Sequence, residues 1–88
     1  MIFIHLAKFK NKPTKESIAR GDKAFAEAAK MGVKAIATYW TLGRYDAVRI
    51  VEAPDAVTAM KASLALSDVV SVETMVALTR EDAVKLVA

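Results

Sequence analysis

His5 is the only histidine in the chain, and it sits in an apolar, strand-like opening. An imidazole with an ordinary pKa near ~6.5 can shuttle protons if a carboxylate orients it. Asp46 and Glu73 are the acids expected to do so. A lone neutral imidazole also suffices as a haem ligand, whereas a packed or interfacial His5 needs no chemistry at all. Tyr45, Asp46, Arg49 and Glu73 supply a phenol, two carboxylates and a guanidinium, the polar groups that orient a bound molecule among apolar walls. No cysteine accompanies them, so a disulfide framework, a thiolate metal site and a cysteine-held cluster are excluded, and with no His-rich constellation a zinc site is not expected. A nucleophile elbow, a phosphate-cradling glycine loop and a dinucleotide fingerprint are absent. No metal or cofactor is therefore expected.

A chain of 88 residues has room for one core, and 1–88 reads as a single domain. Folds of this size are stable by only about 0.05–0.15 kcal/mol per residue, and self-association is a common remedy. Hydrophobic residues make up 55%, much of it alanine in helical segments, and no run approaches the ~18 apolar residues of a membrane span. The opening MIFIHLAKFK alternates and lacks a small-residue cleavage pattern, which argues against a signal peptide and for a cytoplasmic home. The net charge of +3 is uneven: residues 1–34 carry eight Lys or Arg against three acids, and residues 35–88 five against seven. Lys8, Lys10, Lys12 and Lys15 cluster after the first strand. They read as a solvated loop, or else as an attraction for phosphate.

The elements that must position these residues follow from pattern. Residues 2–9 are β-branched and aromatic, and Asn11 to Pro13 break the strand. Thr14 caps a helix to about Met31, with Ile18, Phe25 and Ala29 at helical spacing and Gly32 as the stop. Residues 33–41 and 45–53 read as a strand pair joined by Leu42, Gly43 and Arg44. Pro54 ends the second of them, and Asp55 caps a helix to about Ser67 with Val57, Met60 and Leu64 on one face. Residues 69–78 form the last strand, and Thr79 starts a short helix through Val87. The order βαββαβ closes as an α+β, ferredoxin-like domain, a four-stranded sheet with both main helices on one face.

Alternation then sorts each strand into two sides. Taking the purely aliphatic sets as core places Ile2, Ile4, Leu6, Val48, Ile50, Val70, Val72 and Val76 under the helices. The open face is then expected to show Phe3, Phe9, Val51 and Met75, with His5, Tyr45, Arg49 and Glu73 among them. Such a patch calls for a partner, and a second copy packed sheet to sheet is the simplest. Phe3, Phe9, Val51 and Met75 become the expected dimer interface. Arg49 and Glu73 either pair across it or line a pocket there.

At YWTLGRYDAVRIVEAPD, residues 39–55, the chain resembles the GYD domain family of small bacterial and archaeal proteins. The resemblance is carried by Gly43-Arg44-Tyr45-Asp46 and by Glu52-Ala53-Pro54-Asp55, and it extends more weakly over most of the chain. It implies a ferredoxin-like fold related to dimeric α+β barrels, whose members include cofactor-free oxygenases, isomerases, haem enzymes and regulatory ligand-binding domains. The motif also has its own physical account: Gly43 supplies a positive φ, and Asp46 accepts backbone amides that fix the turn.

The expected function is homo-oligomeric binding of a small apolar or aromatic molecule at the sheet–sheet interface. An enzyme of the cofactor-free oxygenase or isomerase type is the alternative. Nucleic-acid binding comes third, because the basic–aromatic pattern of sheet-face RNA readers is missing.

Overall fold

The structure, a computed structural model, describes residues 1–87. It has the expected order: β1 (Ile2–Phe9), α1 (Lys15–Lys30), β2 (Lys34–Trp40), β3 (Ala47–Glu52), α2 (Ala56–Leu64), β4 (Val70–Ala77) and α3 (Arg80–Val84), closed by a 3-10 turn over Lys85–Val87. The chain is an α+β, ferredoxin-like fold. Its antiparallel sheet has the order β2-β3-β1-β4, with β1 and β3 at the centre.

Local chemistry sets the boundaries. Thr14 and Ser17 form a reciprocal capping box at the start of α1, at 2.8 and 3.1 Å. The helix stops at Met31 because Gly32 turns to φ 95°, a conformation that would strain other residues. Asp55 Oδ1 accepts the Thr58 N–H at 2.7 Å and starts α2. Arg20 of α1 then grips Asp68, just before β4, through two hydrogen bonds, the longer 2.7 Å. Among the described residues, no helix is long and apolar enough to cross a membrane.

The side of the sheet that meets the helices is not the expected one in β1 and β3. Phe3 (2% exposed) and Val51 (1%) lie in the core with Ala28, Val33, Ala53 and Ala59. The interface expected of Phe3, Phe9 and Val51 is thereby corrected, since all three belong to the helix-covered side. Ile2, Ile4, Leu6, Val48 and Ile50 occupy the open face instead. In β4, Val70 and Val72 face the helices and Met75 and Glu73 face away, but Val76, expected in the core, is 63% exposed.

The physical reason is that alternation sorts residues within a strand but leaves the phase between strands to the register. Phe3 pairs with Val51 on one side and Val76 on the other, so these three share a face. Alanines on both helices leave room there for a phenyl ring.

The face of α2 that carries Val57, Met60 and Leu64 is its outer one. Val57, Met60 and Leu64 are 66%, 64% and 62% exposed, while Ala59 is buried and Ala62 packs against the core. This helix is apolar nearly all round, so periodicity does not choose its inner side.

Candidate functional site

A single row of side chains crosses the helix-facing side of the sheet. In register it runs Thr38 on β2, Arg49 on β3, His5 on β1 and Thr74 on β4. Its ends are tied: Arg49 Nη1 donates to Thr38 Oγ1 at 3.2 Å, and His5 Nδ1 lies 2.9 Å from Thr74 Oγ1. A β-bulge at Ile36 makes the row possible. It shifts the alternation of β2 by one residue, so that Thr38 and Trp40 share a side with Ala35.

On one side of the row lies the packed core of Phe3 and Val51. On the other the sheet and helices part, leaving a partly open cleft of about 360 Å³ that reaches back across the row to Val51, Ala28 and Val33. Its walls are mostly apolar, with Phe9 and Trp40 from the sheet, Ile18 and Phe25 from α1, and Leu66 and Val69 from the α2–β4 connection. Phe9 and Trp40 meet edge to face at 5.2 Å. The Phe25 ring lies against the Arg49 guanidinium, 3.8 Å from its centroid.

Burial governs the electrostatics of the row. The His5 imidazole is held below its ordinary pKa, first by desolvation and second by the Arg49 charge. Both effects favour its neutral form. The Arg49 pKa is lowered too, by desolvation, though a guanidinium keeps its charge.

The five residues expected to bind a ligand divide between two places. His5 and Arg49 lie side by side in the cleft. Tyr45 and Glu73 meet elsewhere, where the Tyr45 hydroxyl donates to Glu73 Oε2 at 2.8 Å and that bond raises the phenol's pKa. Glu73 pairs with Leu6 in register, on the open face, so Arg49 and Glu73 are on opposite sides of the sheet. Asp46 joins neither group: its Oδ2 accepts the Phe9 N–H at 2.8 Å. Both carboxylates expected to orient His5 are thus engaged with other partners. Among the described residues, no cluster of three or more His, Asp or Glu is placed to hold a metal ion.

The Gly43–Asp46 turn gains a fuller account from this geometry. Gly43 takes φ 108°, and nothing lies within 4 Å of where its Cβ would be, so the backbone alone requires glycine. Tyr45 reaches to β4 through Glu73, and Asp46 reaches to β1 through Phe9. The β2–β3 turn is braced to both other strands, and the amide that Asp46 accepts belongs to β1 rather than to the turn.

Asp46→Ala strands a part-buried N–H and should cost about 1–3 kcal/mol. At about 4–8 °C per kcal/mol, a thermal melt should shift down by roughly 4–24 °C. Asp46→Asn, which keeps an acceptor, should recover most of the loss. A melt unchanged in Asp46→Ala would refute the bracing role.

The row, the Arg49–Phe25 contact and the bulge were not anticipated. The bulge has no local signal in VKAIATYW. Arg49 and His5 sit at polar positions within otherwise apolar strands, a signal that points to the row only once register is known.

These features define a small α+β domain with a cleft between its sheet and helices, floored by a polar row. The chain belongs to the GYD domain family, whose family model matches residues 3–87. A search of curated proteins finds no match. Among solved structures the chain is similar to CutA1 from Pyrococcus horikoshii, with 17% identity, a TM-score of 0.42, and coverage of 97% of this chain and 92% of that one. A likeness of that depth assigns no property to this chain.

Proposed function

We propose that this protein is a binding module for a small apolar or aromatic molecule, acting as a homodimer joined through its open sheet faces. The observation that carries the binding reading is the cleft itself. Its volume of about 360 Å³ falls in the range of about 300–1,000 Å³ usual for small-molecule sites. Its walls combine three aromatic rings with two convergent polar groups, Arg49 and His5. The site is relocated by this reading from between two sheets to between sheet and helices.

The dimer reading rests on the face left uncovered. Ile2, Ile4, Leu6, Val48 and Ile50 form a flat apolar surface with Met75, which is 44% exposed. Two helices on the far side of the sheet cannot shield it. Stacking a second sheet about 10 Å away would. Nucleic-acid binding on this face loses support, because Phe3, an aromatic ring expected on the open face, is in the core.

Native mass spectrometry of the purified protein tests the binding reading. The expected species carries one small molecule per chain and sheds it under denaturing spray. Trp40, the only tryptophan, lines the cleft and should report occupancy through its emission. A bare chain whose Trp40 emission is unmoved by any of a panel of aromatic compounds would overturn the proposal.

A further inference from the structure

Resting on that reading of the cleft, we infer that its ligand is an anion, a carboxylate borne on a flat aromatic body, and that Arg49 receives the carboxylate. Arg49 is half-buried, yet among the described residues no Asp or Glu oxygen lies within salt-bridge distance of it. Of its five N–H donors one has a partner, Thr38 Oγ1. The guanidinium carbon lies over the Phe25 ring, 3.8 Å from its centroid. The guanidinium's edge donors are the groups that meet a carboxylate two at a time. A cation among apolar walls without a counter-charge is costly, and an incoming carboxylate removes that cost.

The other charges around the cleft agree with this assignment. Asp22 of α1 is the one carboxylate in its lining, and it is exposed at the rim without pairing to Arg49. No lysine lines the cleft. Arg49 is therefore the sole fixed positive charge available to a bound anion. His5 stands directly beside it in register, and with Nδ1 engaged by Thr74, its Nε2 is left for the same ligand. Phe9, Phe25 and Trp40 set the shape of the remainder, since flat rings are best filled by a flat apolar body.

The test uses two probes with one body, 2-naphthoate and 2-naphthamide, titrated into the intact protein by calorimetry with Trp40 emission in parallel. The carboxylate should bind about tenfold or more tightly, as a charge-assisted bond predicts. Arg49→Gln should erase that preference, weakening the naphthoate by about tenfold more than the naphthamide. Arg49→Lys, which keeps the charge but not the fork, should retain part of it, and circular dichroism melts establish that both variants fold. Equal affinity for the two probes, or a preference that survives in Arg49→Gln, overturns the anion inference and leaves the cleft reading standing. Failure of both probes to bind the unaltered protein overturns both.

Discussion

Phe3→Ala is expected to lower the melting temperature by roughly 12–40 °C, the largest stability loss of any single change considered. The phenyl ring is 2% exposed and sits between Val51 and Val76 on the central strand, beneath the helical alanines. Removing a buried phenylalanine side chain typically costs about 3–5 kcal/mol, because the lost transfer energy is joined by the cavity left behind. For a chain of this size each kcal/mol moves the midpoint by about 4–8 °C. The whole reserve of an 88-residue fold is about 4–13 kcal/mol, so the variant loses between a quarter and all of it. Ile4→Ala, one position along but on the half-exposed opposite face, should cost far less within one chain. Thermal melts of the two variants at several protein concentrations separate these cases. A Phe3→Ala protein that melts like the parent would mean that the helices cover the other face.

The contrast between Phe3 and Ile4 also marks where the sequence is readable. Strands, helices, caps and their order follow from local chemistry: Thr14, Gly32, Asp55 and Thr79 each stand at a boundary because of what their own atoms do. Gly43 is legible for the same reason, since a positive φ is a property of one residue. The phase of β1 relative to the helices is a different kind of fact. Both sides of IFIHLAKF are apolar enough for a core, and the choice depends on which helix residues arrive opposite. Ala28 and Ala59 accept a phenyl ring, and no pattern within β1 records that. The inner side of α2 is undetermined for a related reason, as AVTAMKASL offers an apolar surface on almost every side.

Hydrophobicity alone also pointed away from the site. An aliphatic criterion rejects any strand side that contains His5 and Arg49, and so it sends the polar row to the open face. Those residues stand under the helices because the helix layer does not close over them. Local rules of burial are broken most often where a protein keeps a site. Asp46 and Tyr45 show the converse. They have the residue types of a binding site, yet each makes a bond that braces the β2–β3 turn. Residue type nominated five candidates, and only register and hydrogen bonding separated the two in the cleft from the rest.

Ile4→Glu should convert the proposed dimer to monomers without unfolding the chain. Ile4 lies on β1 at the middle of the open face, flanked by Ile50 and Met75 in register. It is only partly buried in one chain, on the face no helix covers, so a carboxylate there reaches water and the fold tolerates it. In a sheet-to-sheet dimer the same carboxylate would be driven against apolar side chains of the second copy. Each buried aliphatic side chain contributes about 1.5–3 kcal/mol to such an interface. Exchanging one for an unpaired charge removes that gain and adds a desolvation cost, so dissociation should rise by about 100-fold or more. Sedimentation velocity across a concentration series reads the change directly, with the Phe3-buried core reporting an unaltered fold by circular dichroism. A dimer that persists in Ile4→Glu but dissociates in Met60→Glu would place the interface on α2, whose Val57, Met60 and Leu64 are more exposed than Ile4. Parent protein that sediments as a monomer at every concentration would refute self-association through either surface.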